Sequence, residues 1–159
     1  MVIEPVFQGE NMRKILFKAK LKNWKTNPQQ NTWVEGFYLS RKETTYCFTE
    51  DYERNPVKTL HYIAVDSMTD WGLPNEFRCY EIDPDTLCEF TGMLEGKSKK
   101  KIWEHDIIKG TFWGFMMPVE NYVFEISWHD DVAGWYKNVM DDDNEVIGNI
   151  FDNPELLEK

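Results

Sequence analysis

The sequence lacks the features that mark secreted and membrane-spanning proteins. It opens with Met-Val-Ile-Glu-Pro, which has neither the basic region nor the apolar stretch of a secretory signal. No apolar run approaches the length that a membrane-crossing helix needs. The three cysteines, Cys47, Cys79 and Cys88, are an odd number without the close spacing of a metal site. We therefore expect a cytoplasmic protein with reduced thiols and no membrane partner.

Basic residues are scarce toward the end of the chain. Residues 110–159 carry 2 Lys or Arg against 11 Asp or Glu, a net charge of −9, whereas residues 1–60 carry 10 against 7, a net charge of +3. The whole chain has a net charge of −10 and repels polyanions, which disfavours nucleic acid as a partner. The two ends attract each other, either within one molecule or between two copies.

Catalytic motifs are also missing. None of the four serines lies in a Gly-x-Ser-x-Gly elbow. The segment Gly96-Lys97-Ser98 resembles the end of a phosphate-binding loop, but Thr91 stands where that loop needs a glycine. The acidic run Asp141–Glu145 lacks the glycine that a calcium loop requires at its sixth position. We predict no enzyme, no cofactor and no bound metal, with a metal-assisted hydrolase that uses His105 or His129 as one alternative.

Strand-like alternation recurs along the chain, and sustained helical periodicity does not. Aromatic residues make up 15% of the sequence, a composition that favours the half-buried surfaces of sheets. The strand candidates of the first half are Ile15–Leu21, Trp33–Leu39, Thr44–Phe48 and Val57–Val65. We predict that the first two form a hairpin, that Thr49–Pro56 is a polar loop, and that Asn153-Pro154 starts a final helical turn. The closely spaced strand candidates after residue 105 are typical of a meander or small barrel.

A basic stretch near the start of the chain lies beside tryptophans. No acid interrupts the run of Arg13, Lys14, Lys18, Lys20, Lys22 and Lys25. Since cations beside aromatic rings can hold a nucleotide, the candidate ligand-binding residues are Lys18, Lys20, Lys22, Trp24 and Trp33. A second interpretation is a solvated edge strand whose lysines discourage unwanted pairing. A third is a strip that docks against the acidic end of the same or another subunit, with Asp141, Asp142 and Asp143 as candidate contacts.

Three parts of the chain carry a family resemblance. They are Arg13–Lys20 with Trp33–Tyr38, Ile82–Gly92 with Lys101–Lys109, and the ending Glu145-Val-Ile-Gly-Asn-Ile-Phe-Asp-Asn-Pro-Glu-Leu-Leu157. Together they resemble the YopX-like family of phage and prophage proteins. The resemblance implies a mainly β protein with little helix and assembly into homo-oligomers. It divides the chain into a hairpin-rich part, residues 1–80, and an SH3-like small barrel, residues 81–159, and it supplies no activity.

The sequence departs from this family's pattern in two places. His105 stands where the family usually has glycine, and glycine there would permit a positive φ. If that geometry is kept, His105 adopts the left-handed region at a cost in free energy. Residues 41–80 match the family only loosely.

The leading hypothesis is a non-catalytic, homo-oligomeric binding protein encoded by a phage or prophage. It would act on a host or phage component in the cytoplasm of the host cell. An alternative is an oligomer that sequesters a small nucleotide-like ligand between subunits. The charge split, the aromatic excess and the missing catalytic set favour the first of these.

Overall fold

The computed structural model describes residues 14–113, 117–135 and 144–158. As predicted, they are mostly β-strand, arranged in antiparallel sheets with little helix. The strands are β1 (Phe17–Lys20), β2 (Trp33–Lys42), β3 (Thr59–Ser67), β4 (Glu76–Glu81), β5 (Cys88–Leu94), β6 (Lys101–Trp103), β7 (Asp106–Trp113), β8 (Pro118–Glu125), β9 (Trp128–His129), β10 (Gly134–Trp135) and β11 (Glu145–Asn149). Helix α1 is Thr49–Arg54, and single 3-10 turns are Pro28–Gln30, Pro84–Thr86 and Pro154–Leu157.

Six strands form the largest sheet, in the order β4-β3-β2-β1-β5-β6. The predicted hairpin is confirmed, because β1 and β2 pair antiparallel with Phe17 opposite Gly36 and Lys20 opposite Trp33. On its other side β1 pairs with β5, where Phe17 lies opposite Glu89. The sheet therefore joins strands from both sides of residue 80, and the division of the chain at that residue stays a prediction.

The second half of the chain adds two smaller sheets. Strands β11, β7 and β8 form a three-stranded antiparallel sheet in that order, in which Ile108 lies opposite both Val146 and Phe124. Strands β9 and β10 form a short hairpin, with Trp128 opposite Trp135. The SH3-like barrel expected over this part of the chain stays a prediction.

The region that matches the family loosely departs from the predicted elements. The predicted strand Thr44–Phe48 is wrong, because β2 extends to Lys42 and irregular chain follows. The predicted polar loop contains α1 instead. Its acidic residues Glu50 and Asp51 lie in the first turn and Arg54 in the last, an order that suits the helix dipole. A helix of six residues is too short to show apolar periodicity, so no helical pattern is visible over Thr49–Arg54.

Two apolar clusters form the core. The first has Ala19, Ile63 and Ile82 at its centre and packs under strands β1 to β3. The second centres on Ile102, Ile108 and Ile126 and joins β6 to the three-stranded sheet. The partly buried residues packed around the two centres are Phe17, Val34, Tyr38, Val65 and Leu87 for the first, and Met93, Phe124, Trp135 and Val146 for the second. The two halves of the chain thus share packed contacts as well as strand pairing.

A two-residue turn, Glu104–His105, carries the chain from β6 into β7. His105 has φ of 64°, the left-handed geometry that the glycine of the family permits. Its backbone N–H donates to the carbonyl of Ile126 at 2.7 Å, and its carbonyl accepts from the N–H of Ile150 at 3.1 Å. These two hydrogen bonds hold the turn between the neighbouring segments, so the backbone keeps its positive φ although the residue is not glycine.

We expect His105→Gly to be more stable than His105→Ala by about 1 kcal/mol, because only glycine relieves the left-handed backbone. Both variants lose the imidazole, whose Nδ1 lies 2.6 Å from Oε1 of Glu125, so the comparison isolates the backbone. Urea denaturation measures both free energies of unfolding. Equal stabilities, or a more stable alanine variant, would contradict a strained turn.

Candidate functional site

Strand β1 presents Lys18 and Lys20 on one face of the six-stranded sheet. Their cross-strand partners on β2 are Glu35 and Trp33, which share that face. The interpretation of β1 as a solvated edge strand is wrong, because β2 and β5 flank it on both sides. Its lysines therefore need partners that lie above the sheet.

Lys20 is buried, with 1% of its surface exposed. Its ammonium group donates hydrogen bonds to the carboxylate of Asp152 and to Oδ1 of Asn31, the latter at 2.6 Å. It also lies 4.2 Å from the centroid of the Trp24 ring. Trp33 donates from Nε1 to the other oxygen of the Asp152 carboxylate at 2.9 Å. Since a buried charge without a partner is strongly destabilising, Asp152 is what allows Lys20 to be buried.

The neighbours of Asp152 favour its ionised form. Burial acts to raise the pKa of this carboxyl group, but hydrogen bonds from Lys20, Asn149 and Trp33 act against it and together outweigh it. The pKa of Asp152 therefore lies below its ordinary value. Asp152 is therefore ionised at neutral pH.

A second ion pair joins β1 to β7. The ammonium of Lys18 lies 2.7 Å from Oδ1 of Asp106, and 4.8 Å and 5.5 Å from the ring centroids of Trp33 and Trp103. The other carboxylate oxygen of Asp106 accepts the backbone N–H of Trp103 at 2.8 Å. Burial raises the pKa of Asp106, although Lys18 opposes the shift. We call the pairs Lys18–Asp106 and Lys20–Asp152 the ionic clasp.

The other predicted site residues are distributed around this clasp. Lys22 is exposed, and its ammonium lies 2.5 Å from the carboxylate of Glu81. Trp24 contributes its ring to Lys20 and donates from Nε1 to Asp83 at 2.9 Å. The candidate oligomer contacts Asp141, Asp142 and Asp143 lie outside the described residues. The structure thus brings Lys18, Lys20, Trp24 and Trp33 together and leaves Lys22 at the surface.

Sequence reasoning missed Asp106 and Asp152, the carboxylates of the clasp. The charge split indicated that the acidic end attracts the basic strand, but the predicted contacts were the densest acidic run, Asp141, Asp142 and Asp143. A usable signal was present, since both residues lie in stretches that carry the family resemblance, Lys101–Lys109 and Glu145–Leu157.

A groove of about 660 Å³ opens beside the clasp. Its basic and aromatic lining residues are Lys18, Lys99, Lys100, Lys101, Trp33 and Trp103. Lys99 and Lys100 are exposed, whereas Lys101 binds Glu35 across the strands. The exposed ammonium groups give the groove the capacity to bind an anion.

The part of this sheet face formed by β2, β3 and β4 is apolar and exposed. Phe37 and Phe77 have 50% and 67% of their surfaces exposed, and their ring centroids lie 6.4 Å apart at an interplanar angle of 81°. The strand register places Cys79, Leu39 and Tyr62 on the same side. We call Phe37, Leu39, Tyr62, Phe77 and Cys79 the apolar face. An exposed surface of this kind is typical of an interaction site.

The described histidines make local contacts. Nδ1 of His105 lies 2.6 Å from Glu125, and Nε2 of His129 lies 3.2 Å from the hydroxyl of Ser127. Within residues 14–113, 117–135 and 144–158, no group of three or more His, Cys, Asp or Glu side chains is placed to hold a metal ion. In the same part of the chain, no helix has the length and apolar character needed to span a bilayer.

Comparison with protein families identifies the family of the chain. The family model described as YopX protein matches residues 23–158, which is nearly the whole chain. The chain belongs to the YopX family. A comparison with curated proteins gave no match. The match includes Lys101–Lys109 and Glu145–Leu157, so both carboxylates of the clasp lie within the matched residues of this YopX family member, whereas Lys18 and Lys20 precede them.

In this YopX family member, we expect Asp152→Asn to lower the free energy of unfolding by about 2 kcal/mol at pH 7, because the buried ammonium of Lys20 loses its counter-charge. The matched control is Glu81→Gln, which breaks the exposed Lys22–Glu81 pair and should cost much less, because solvent screens that pair. Urea denaturation provides both values. Equal costs for the two variants would contradict a structural clasp.

The difference in the free energy of unfolding between the wild type and Asp152→Asn also depends on pH. Because the pKa of Asp152 is lowered in the folded state, the unfolded chain binds more protons as the pH falls through the ordinary range of an aspartate. The contribution of the Asp152 carboxylate to the stability of the fold is complete above that range and is lost as the pH drops through the lowered pKa. The free energies of unfolding of the wild type and of Asp152→Asn should therefore converge in acid. A difference that grows in acid would contradict the lowered pKa of Asp152.

Proposed function

We propose that this YopX family protein is a non-catalytic, homo-oligomeric binding protein of a phage or prophage. It acts in the cytoplasm of the host cell on a host or phage component. The observation that carries the proposal is the apolar face, where Phe37 and Leu39 on β2 and Phe77 on β4 are exposed on either side of the half-buried Tyr62 of β3. Burying such side chains contributes about 1.5–3 kcal/mol each, so a second protein surface that covers them gains substantial free energy.

Self-association fits the charges at the margins of this face. Arg41 lies near the end of β2, and Asp66 lies at the opposite end of β3, next to Phe77 in the register. Two copies that meet face to face with their strands antiparallel place each arginine near the partner's aspartate. Unlike charges then meet across the contact, which favours this arrangement over the parallel one.

The ionic clasp and the buried thiol of Cys88 support a non-catalytic role. Lys18, Lys20, Asp106 and Asp152 neutralise one another in the ionic clasp. Burial raises the pKa of the Cys88 thiol to about 12, so it stays protonated at neutral pH and is a poor nucleophile. The described residues also give no support to a metal-assisted hydrolase through His105 or His129.

We expect the wild-type protein to have a mass above the 19.0 kDa of one chain at micromolar concentration. Phe37→Lys places a charge on the apolar face and should shift the protein toward the monomer. Phe48→Lys is the matched control, because Phe48 is also an exposed phenylalanine but lies outside the three strands. Native mass spectrometry and light scattering measure the mass. A monomeric wild type would contradict self-association.

A second candidate function is the sequestration of a small nucleotide-like ligand in the groove beside the clasp. The exposed ammonium groups of Lys99 and Lys100 favour it, since they can neutralise phosphates without breaking the clasp. The rings of Trp33 and Trp103 line the same groove and offer apolar surface to a base.

ATP, ADP and tripolyphosphate are the probes for this second candidate. We expect millimolar ATP to raise the melting temperature by about 3 °C or more and Lys99→Ala with Lys100→Ala to abolish the shift. Removing two exposed lysines elsewhere, Lys42→Ala with Lys58→Ala, is the control for the change in net charge. An equal shift with tripolyphosphate would assign the site to phosphate alone. No shift with any probe would contradict the proposal.

A further inference from the structure

The hairpin between β3 and β4 ends in an ordered turn that exposes large apolar side chains. The hydroxyl of Thr69 donates to the carbonyl of Pro74 at 2.9 Å, and the backbone N–H of Trp71 donates to the carboxylate of Asp70 at 2.7 Å. The N–H of Leu73 donates to the carbonyl of Asp70 at 3.2 Å. Trp71 has 92% of its surface exposed, more than any other large apolar side chain of the described residues. We call Met68, Trp71 and Leu73 the apolar tip.

A pocket on the apolar face has the size and lining to receive such a tip. Its volume is about 500 Å³, and it is lined by Leu39, Ser40, Arg41, Tyr62 and Cys79. The guanidinium carbon of Arg41 lies 5.9 Å from the centroid of the Tyr62 ring, so a cation and an aromatic ring lie together at this site. Buried tryptophans commonly anchor protein contacts in pockets of this kind, and arginines are also enriched there.

We propose that two copies of the chain exchange these parts, with the apolar tip of each copy seated in the pocket of the other. The inference rests on the proposed self-association and names the surfaces that make it. The occupant of the pocket is a second copy of this chain because one chain supplies both a protruding tip, between β3 and β4, and a pocket lined by residues of β2, β3 and β4.

The strand register makes the exchange geometrically reciprocal. The tip follows Ser67, which lies opposite Glu76, and the pocket lies near Tyr62, five residues back along β3. A strand rises about 3.4 Å per residue, so the two parts are roughly 17 Å apart in one copy. A two-fold axis across the strands, midway between them, brings each tip over the other pocket. The rings of Phe37 and Phe77 then lie near the axis, where they cover their counterparts.

Charge favours the same arrangement. Asp66 precedes the tip on the same sheet face as Phe77 and Asp70 lies within the tip, whereas the pocket holds Arg41. In the reciprocal dimer, the acidic margin of each tip approaches the guanidinium of the other copy. A parallel arrangement would instead stack acid on acid. The acidic margin also disfavours an anionic lipid surface as the partner of the exposed tryptophan.

The first test is the dimer dissociation constant, measured by sedimentation equilibrium. Trp71→Ala should raise it by about 30-fold or more, as expected of a central tryptophan anchor. Phe48→Ala is the control, because it removes another exposed aromatic side chain that lies outside the contact, and it should leave the constant unchanged. Arg41→Asp should also weaken the dimer. Adding Asp66→Lys to that variant should restore it, since the two charges are then exchanged in both copies.

The second test traps the contact through thiols. In a Cys47→Ser background, one chain carries Trp71→Cys with Cys79→Ser and the other keeps Trp71 and the native Cys79. Mixing the two under mild oxidation should give a disulfide-linked dimer between position 71 of one chain and Cys79 of the other. Cys88 does not compete, because it is buried and its thiol stays protonated. Phe48→Cys in place of Trp71→Cys should give no cross-link.

The outcomes separate this inference from the proposed function. An oligomeric wild type whose dissociation constant is unchanged by Trp71→Ala, with no cross-link between position 71 and Cys79, overturns the exchanged tips and leaves self-association standing. A monomeric wild type overturns both. Restoration of the dimer dissociation constant by Arg41→Asp with Asp66→Lys, together with the cross-link, supports the reciprocal contact. Neither result can arise from a folding defect of Trp71→Ala.

Discussion

Burying a lysine ammonium group is destabilising by several kcal/mol unless a carboxylate lies in contact with it. Lys20 is buried at the centre of the six-stranded sheet, and its carboxylate belongs to Asp152, 132 residues further along the chain. Lys18 meets Asp106 in the same way at a separation of 88 residues. The central strand is therefore stable only when the end of the chain has folded over it, which couples the two halves energetically and predicts slow, long-range folding.

The charged residues of the clasp and the side chains of the apolar face therefore have different roles. The attraction between the basic start and the acidic end is used within one molecule, where Trp24, Trp33 and Trp103 surround the ammonium groups. Among the apolar surfaces that stay exposed in the described residues are the apolar face on β2, β3 and β4 and the turn that follows β3. Self-association, in this account, is driven by apolar burial and oriented by a few charges at its margin, rather than by the large charge split itself.

Local patterns in the sequence were sufficient for some elements. Alternation around a turn-rich segment predicted the hairpin of β1 and β2, whereas the positive φ of His105 was implied by the family resemblance, which has glycine there. Local patterns were insufficient where the pairing partners are distant in the sequence. The interior position of β1 depends on pairing with β5, near Glu89, and no local pattern encodes such a partner. Helix α1 was missed because six residues do not complete two apolar turns.

The candidate site divides in the same way. Lys18, Lys20, Trp24 and Trp33 were predicted together because an uninterrupted run of basic residues lies beside these tryptophans in the sequence. Asp106 and Asp152 were not, since their approach depends on how the three-stranded sheet lies over β1, which is a property of the packed fold. The exposed tip at Trp71 was also missed, because an aromatic residue in a loop is not distinguishable from a core residue without its burial.

Hydrogen–deuterium exchange of the wild-type protein at a series of concentrations tests most directly whether the clasp is internal and the apolar face is the contact. The account predicts that amides of residues 62–81 exchange more slowly as the concentration rises, while those of residues 17–20 exchange at a rate independent of concentration. Concentration-dependent protection of residues 17–20, with none in residues 62–81, would contradict it, because the basic strand would then be the surface that joins the subunits.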